Sequence, residues 1–119
     1  MNKQTGTIGE QHAVELLRQK GYAILCTNYH AGRWGEIDII ARQGKTFVFV
    51  EVKTRRGDRT SLPEEAVTPA KLRKLEKAIL YYQMSNRLTG EACRLDVIGL
   101  VFDSQGKIIY KNHLENVIL

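Results

Sequence analysis

The sequence has few of the residues that mark disulfide-rich or structural zinc proteins. Among its 119 residues are two cysteines, Cys26 and Cys93, which lie far apart in apolar stretches and form no CxxC motif. This pattern favours buried, reduced thiols over a disulfide or a metal-binding role. The three histidines also lack a ligand spacing such as HxxxH, so zinc chemistry is not indicated.

Long apolar runs are absent as well. Runs such as Phe47–Val50 end at a charged residue after a few positions, whereas a helix needs roughly 20 apolar residues to span a bilayer. The N-terminal segment Met1–Thr5 lacks the apolar stretch of a secretory signal. We therefore expect no membrane helix and a cytoplasmic location.

What the chain does contain is typical of a single globular domain covering residues 1–119. Its 43% hydrophobic and 26% charged residues are ordinary for a folded domain. The formal net charge is +5, and the segment 53–77 holds eight basic against four acidic residues, which accounts for most of this excess. A basic segment of this kind indicates a polyanionic partner such as nucleic acid.

Hydrophobic periodicity predicts the element order α-β-β-β-α-β-β. The first helix opens at Thr7 and ends near Gly21, and the second begins with Thr68 as N-cap and Pro69 in its first turn. The five strands span residues 22–29, 36–42, 45–54, 93–102 and 107–110. Because several strands are aliphatic on both faces, helices must cover both sides of the sheet. The predicted fold class is α/β, with a mixed five-stranded sheet flanked by helices.

Acidic residues gather on one hairpin of this predicted sheet. With Gln43 and Gly44 as the two turn residues, Asp38 would face Phe49 and lie diagonal to Glu51. Side chains alternate between the two faces of a strand, and this alternation holds as long as no β-bulge interrupts it. The hairpin therefore predicts that the carboxylates share one face.

Three carboxylates and one ammonium group meet on that face. Glu36 and Asp38 on the first strand share it with Glu51 and Lys53 on the second. Clustered carboxylates repel one another unless a cation compensates, and oxygen ligands suit Mg²⁺ or Mn²⁺. Lys53 would place a positive charge beside such an ion, where it could position water or stabilise charge on a phosphate. This arrangement favours phosphodiester hydrolysis.

Two motifs in this region resemble those of a nuclease superfamily. Gly35-Glu36-Ile37-Asp38, followed after twelve residues by Glu51-Val52-Lys53, is similar to the D-x(n)-E-x-K signature of the PD-(D/E)XK nucleases, with Ile37 in place of the proline. The superfamily core is similar to archaeal Holliday-junction resolvases. Nearly the whole chain resembles the YraN-like family of small bacterial proteins. The matching stretches are Gly9-Glu10, the strand end at Asn28, the two motifs above, Phe49–Arg55 and Arg94–Val97.

The resemblance implies a restriction-endonuclease-like core with a metal site. Asp38, Glu51 and the backbone carbonyl of Val52 would hold Mg²⁺ or Mn²⁺, with Glu10 as a further acidic ligand, directly or through water. Lys53 would be the catalytic lysine. The implied activity is that of a metal-dependent endonuclease that hydrolyses DNA phosphodiesters, in branched or otherwise structured DNA. A resolvase-like role would favour a symmetric homodimer.

Further residues near this site belong to the same hypothesis. Arg55, Arg56, Arg59 and Lys71 are the candidates for phosphate contacts, because they follow the E-x-K motif directly or open the second helix. Glu36 is a secondary candidate for the metal site. The aromatic residues show no arrangement typical of a base-stacking platform, so base readout is not indicated.

Several of these residues also have a structural interpretation. The motif Thr7-x-x-Glu10 fits a capping box at a helix start. Glu51 and Lys53, two residues apart on one strand face, fit a surface ion pair. Arg94 and Asp96 fit a structural pair better than a support for the site.

Two other functions remain open at this point. The chain could be a non-catalytic nucleic-acid-binding module that retains the nuclease fold, since fold and function separate readily. It could also be an assembly factor that binds a protein partner through the region of Tyr81, Tyr82 and Leu88. Metal-dependent cleavage separates the nuclease from the binding module, and Asp38→Asn would leave an assembly factor intact.

Overall fold

The computed structural model describes residues 3–57 and 62–117, so Arg59 lies outside the described residues. The elements follow the predicted order α-β-β-β-α-β-β. They are α1 (Lys3–Gln19), β1 (Ala23–His30), β2 (Glu36–Gln43), β3 (Thr46–Arg56), α2 (Pro69–Ser85), β4 (Cys93–Phe102) and β5 (Ile108–Leu114). Two short 3-10 turns, Gly32–Trp34 and Pro63–Ala66, precede β2 and α2.

The five strands form one sheet in the order β1-β2-β3-β4-β5. Strands β3 and β4 are parallel, and every other neighbouring pair is antiparallel. Helix α2 lies in the connection between β3 and β4, because parallel neighbours need a crossover segment. The predicted α/β class, with a mixed five-stranded sheet flanked by helices, is therefore confirmed. The arrangement is consistent with a restriction-endonuclease-like core.

The sheet buries apolar side chains on both faces. On one face, Val50 and Val52 of β3 pack with Leu17 of α1. On the other face, Phe49 packs with Leu72 of α2. Because successive strand residues point to opposite faces, the odd-numbered residues of β3 are directed towards α2 and the even-numbered residues towards α1. This alternation sets the direction of the charged residues that follow Phe49.

The β2–β3 hairpin turns one residue later than predicted. Its turn residues are Gly44 and Lys45, and Gly44 has a φ of 61°, which glycine adopts without strain. Arg42 accordingly pairs with Phe47, so the predicted pairing of Asp38 with Phe49 is wrong. A slip of the turn by one residue shifts the cross-strand pairing by two positions. The prediction of which residues share a face is unchanged, because strand side chains alternate with a period of two.

The two helices differ in how well their starts were predicted. Helix α1 begins at Lys3, so Thr7 lies inside the helix and the capping-box interpretation is wrong. The predicted end of α1 near Gly21 is confirmed, because the helix ends at Gln19 and Gly21 follows it with a φ of 89°. The start of α2 is also confirmed, because the Thr68 hydroxyl accepts a backbone hydrogen bond in the first turn and Pro69 is the first helical residue.

Strand β5 is longer than predicted, since it continues from Ile108 to Leu114. Its pairing with β4 extends to Leu114, which lies opposite Val97. Cys93, predicted to be buried, is exposed at the start of β4. Among the described residues, no helix is long and apolar enough to cross a membrane.

Candidate metal and nucleic-acid site

Asp38 and Glu51 lie where β2 and β3 separate. The paired positions of these strands run from Gln43–Thr46 to Ile39–Val50. Beyond them, the backbone N–H of Val52 donates a hydrogen bond to Asp38 Oδ2 at 2.8 Å. The Glu51 carboxylate lies close enough to Asp38 for its charge to act on the Asp38 side chain. Burial and the charge of Glu51 raise the pKa of Asp38 to about 8.

Two ammonium groups lie next to Glu51. Lys53 Nζ is 3.4 Å from Glu51 Oε2, and the two side chains are 24% and 12% exposed. Lys71, in the first turn of α2, lies against Lys53, whose positive charge lowers the pKa of Lys71. Glu51 and Lys53 therefore form a partly buried pair beside a second lysine, which differs from an isolated surface ion pair.

A close contact between α1 and β3 brings α1 to this end of the sheet. A Cβ atom at Gly9 would lie 2.1 Å from Thr54 Cγ2, far inside van der Waals contact. Only glycine permits this approach without movement of the helix or the strand. The next residue, Glu10, is thereby positioned near the start of β2.

Glu10 is held by a side chain from β1. Its Oε1 accepts a hydrogen bond from Asn28 Nδ2 at 2.8 Å, and Asn28 has a φ of 51°, a conformation that asparagine tolerates better than most residues. Burial raises the pKa of Glu10, and the charges of Asp38 and Glu36 raise it further, although the hydrogen bond from Asn28 opposes this shift. Glu10 is thus close enough to Asp38 for the two carboxylates to interact electrostatically.

Glu36 lies at the solvent side of the same region. It lines a cavity of about 190 Å³ together with Glu51 and Lys71. Its Oε1 is 4.0 Å from His30 Nε2, and its side chain is 47% exposed. The structure brings Glu36 to the cluster but at a more exposed position than Glu51.

The arginines at the end of β3 point in different directions. Arg55 follows Lys53 on the face that carries α2, and its Nε atom is buried without a hydrogen-bond acceptor among the described residues. Arg56 is exposed and alternates to the other face. Lys71 therefore lines a cavity with Glu51, Arg55 lies further along the same face of β3, and Arg56 is directed to the other face.

A second acidic cluster lies on the face of the sheet covered by α1. Asp96, His113 and Glu115 each offer one ligand atom, and these atoms lie within 4.8 Å of one another, so this cluster could hold a metal ion. Arg94 already bonds to two of these residues, with Nε 3.0 Å from Asp96 Oδ1 and Nη2 3.0 Å from Glu115 Oε1. The predicted pairing of Arg94 with Asp96 is confirmed.

The hydrogen bonds of this second cluster define its charge. Lys20 Nζ donates to His113 Nδ1 at 2.8 Å, so His113 Nε2 carries the proton that it donates to Asp96 Oδ2, also at 2.8 Å. Burial would raise the pKa of Asp96, but hydrogen bonds from His113, Arg94 and the backbone N–H of Asn116 lower it below its usual value. Asp96 is therefore a stabilised, ionised carboxylate.

Sequence reasoning assigned no role to Asn28, Trp34 or the pair His113 and Glu115. Asn28 is a poor strand former within β1, which is a signal that could have been followed. Trp34 is the single tryptophan of the chain and lies between two glycines in an arginine-containing loop. His113 and Glu115 join Asp96 only through the pairing of β4 with β5, which residue spacing does not reveal.

The fold and the cluster define a small α/β domain that carries paired carboxylates and lysines at one end of a mixed sheet. The chain belongs to the uncharacterised protein family UPF0102, whose family profile matches residues 9–100. This is the YraN family, so the resemblance inferred from the sequence is confirmed at the level of the family.

Three bacterial relatives each cover more than four fifths of the chain. It is 44% identical over 117 residues to a UPF0102 protein of Syntrophomonas wolfei, covering 98% of each chain. It is 47% identical over 105 residues to a UPF0102 protein of Syntrophus aciditrophicus, covering 88% of this chain and 82% of the relative. A UPF0102 protein of Neisseria gonorrhoeae is 40% identical over 98 residues, covering 82% of this chain and 84% of the relative.

Proposed function

We propose that this protein is a metal-dependent DNA endonuclease of the PD-(D/E)XK type, acting on branched or otherwise structured DNA. The observation that carries the proposal is the meeting of Asp38, Glu51 and Lys53 at the point where β2 and β3 separate. Two carboxylates and a lysine at one partly buried strand opening are the groups that metal-assisted phosphodiester hydrolysis requires.

The donor set fits a hard divalent cation. Burial and the charge of Glu51 raise the pKa of Asp38 to about 8, so a bound cation would stabilise both carboxylates in their ionised form. Both offer oxygen ligands, which suit Mg²⁺ or Mn²⁺. Asp38, Glu51 and the backbone carbonyl of Val52 would hold the ion, with Glu10 as a further ligand, directly or through water. Glu36 is a secondary candidate.

The lysines supply the remaining positive charge. Hydrolysis forms a bond from a water oxygen to phosphorus and breaks the bond to one sugar oxygen, which leaves with a proton. When bound, Mg²⁺ or Mn²⁺ would polarise the phosphate and activate the attacking water. Lys53, beside Glu51, would donate hydrogen bonds to the phosphate oxygens as their negative charge develops. Lys71 would stabilise the same charge from α2.

Contacts to the DNA backbone would come from the end of β3 and the start of α2. Arg55 is partly exposed, and its guanidinium group carries several N–H donors that suit phosphate oxygens. Lys71 borders the same cavity as Glu51. Arg56 and Arg59 complete the proposed set, with Arg56 exposed at the strand end.

A cleavage assay tests this function. Labelled linear duplex, single strand, flap and four-way junction DNA would be incubated with the protein and Mn²⁺ or Mg²⁺. We expect wild-type protein to cut at least one substrate, and Asp38→Asn and Lys53→Ala each to reduce the rate by about 100-fold or more. Asp38→Asn is the closest replacement, because an asparagine Oδ1 can still accept the hydrogen bond from Val52.

The DNA structure that is cut would identify the substrate class of the enzyme. Paired, symmetric cuts across a four-way junction would fit a homodimer, whose two sites are related by a two-fold axis. Absence of cleavage, combined with salt-sensitive DNA binding that both variants retain, would contradict the nuclease. That result would instead favour a non-catalytic nucleic-acid-binding module.

A further inference from the structure

A second cavity adjoins the proposed nuclease site and contains the single tryptophan of the chain. Its volume is about 310 Å³. Its lining residues are Arg33, Trp34, Ala70, Arg73, Lys74 and Lys77. Among the described residues this lining combines four cationic side chains with one aromatic ring and no acidic group. We call this cavity the Trp34 groove.

The Trp34 groove is continuous with the proposed site. Trp34 and Lys74 line both this groove and the neighbouring cavity, which contains Glu51 and Lys71. A polyanion bound along α2 would therefore extend from the groove to the carboxylates. Among the described residues along this path, the only acidic ones are those of the proposed site. The groove is thus placed to hold one arm of a substrate that reaches Glu51.

The loop that carries Trp34 is anchored at both ends. Ala31 is fully buried, its N–H donates to the Gly35 carbonyl at 2.7 Å, and the N–H of Trp34 donates to the Ala31 carbonyl at 3.0 Å. Gly35 has a φ of 90°, and a Cβ atom there would lie 3.5 Å from Lys74 Cε. The indole is therefore presented from a closed turn packed on α2.

Two cations already lie over the indole ring. Arg33 Cζ is 4.5 Å and Lys77 Nζ is 4.7 Å from the ring centroid. Both side chains are exposed, and cation–π contacts at exposed positions are weaker than stacking of a nucleobase on an aromatic ring. A base could therefore replace one cation over the ring, and the released cation could pair with the adjoining phosphate.

We propose that the Trp34 groove binds an unpaired nucleic-acid segment, with one base stacked on Trp34 and its phosphates on Arg73, Lys74 and Lys77. A base exposes its flat face to a side chain only when it is not stacked within a duplex. The partner is therefore a single strand or the unpaired arm of a branched substrate. As a subsite for the DNA substrate, the groove rests on the proposed function.

Trp34 fluorescence tests the groove directly, because every tryptophan signal of the protein comes from this residue. Wild-type protein without divalent metal would be titrated with oligothymidylate of about ten nucleotides, within the usual site size for single-strand binders. The same titration would use a blunt duplex of equal length. We expect saturable quenching by the single strand and little quenching by the duplex.

Matched variants assign the binding to the groove, with affinity read from the anisotropy of a labelled oligonucleotide. Trp34→Leu should weaken single-strand binding about tenfold, whereas Trp34→Phe, which keeps a ring, should weaken it less. Lys77→Gln should reduce the slope of log affinity against log salt by about 0.7. Lys45→Gln, an equal charge change in the β2–β3 turn, should leave the slope unchanged.

The outcomes separate the groove from the catalytic proposal. Lys53→Ala should lose cleavage and keep the quenching. If wild-type protein cleaves DNA but Trp34 emission does not change, the proposed single-strand binding at the groove is wrong and the nuclease proposal stands. Equal quenching by the duplex would lead to the same conclusion. Quenching without any cleavage would contradict the nuclease proposal and leave the binding proposal intact. Failure of the oligonucleotide to bind, or a Trp34→Leu affinity equal to that of wild type in a folded protein, would also overturn the groove.

Discussion

Two carboxylate clusters lie on opposite faces of one sheet, and their electrostatics are opposite as well. Asp96 pairs with Val50, the residue before Glu51 on β3, and is fully buried. Hydrogen bonds from Arg94 and His113 overcome the effect of its burial and lower its pKa. Asp38, on the other hand, has its pKa raised to about 8 by burial and by Glu51.

The two clusters differ in whether the protein itself neutralises their negative charge. The Asp96 cluster has a guanidinium group bonded to two of its acidic residues, so a metal ion would compete with a cation that is already in place. The Asp38 cluster has a lysine 3.4 Å from Glu51, yet burial and the charge of Glu51 still raise the pKa of Asp38. The Asp96 cluster therefore stabilises the fold, whereas the Asp38 cluster is suited to a bound cation.

The largest expected effect comes from removing the cation of the Asp96 cluster. Arg94→Met should lower the free energy of unfolding by about 3 kcal/mol, because it leaves the buried Asp96 without its charge partner. Urea unfolding measures this loss, with Arg42→Met on the exposed side of β2 as the control. A loss no greater than that of the control would contradict the structural role of Arg94.

Divalent metal should stabilise the protein through the other cluster. At a Mn²⁺ concentration 100 times the dissociation constant, the free energy of unfolding should rise by about 2.7 kcal/mol. Thermal unfolding with and without Mn²⁺ should show this shift in wild type and in His113→Gln, but not in Asp38→Asn. Loss of the shift in His113→Gln and its retention in Asp38→Asn would reverse the assignment of the two clusters.

The contact between α1 and β3 gives a smaller effect that concerns only the proposed site. Gly9→Ala should destabilise the protein by about 2 kcal/mol and weaken Mn²⁺ binding, because the added methyl group would meet Thr54 Cγ2 and displace Glu10. Adding Thr54→Ser removes that methyl group and should restore part of the loss. Equal stability and Mn²⁺ affinity in Gly9→Ala and wild type would show that the close approach is unnecessary.

The smallest effect concerns how the free energy of unfolding declines at acidic pH. The pKa of Asp96 is lowered in the folded protein, so the unfolded state binds a proton more readily. Its contribution to stability is present above about pH 4, the usual aspartate value, and is lost as the pH falls through the folded pKa. Urea unfolding should therefore give a steeper decline below about pH 4 for wild type than for Asp96→Asn. Parallel declines would contradict this linkage.

Much of the fold follows from local patterns in the sequence. Apolar periodicity predicted the element order, and Thr68 with Pro69 predicted the start of α2. The start of α1 at Lys3 was missed because the residues before Thr7 carry no apolar periodicity. The hairpin turn was misplaced by one residue because a glycine can occupy either central position of a two-residue turn.

The candidate site was predictable in part for the same reason. The prediction that Asp38, Glu51 and Lys53 share a face does not depend on which turn forms, because the pairing shifts by two and the side-chain period is two. The hydrogen bond from Asn28 to Glu10, the cations over Trp34 and the joining of His113 to Asp96 depend on long-range packing. No spacing within one element encodes such contacts, so they needed the tertiary structure.

Locating bound Mn²⁺ would show directly which of the two carboxylate clusters binds the ion. Crystals grown or soaked with Mn²⁺ would be measured near the manganese absorption edge, and the anomalous difference map would show where the ion binds. We expect a peak between Asp38 and Glu51. A peak at Asp96, His113 and Glu115 with none at Asp38 would contradict it.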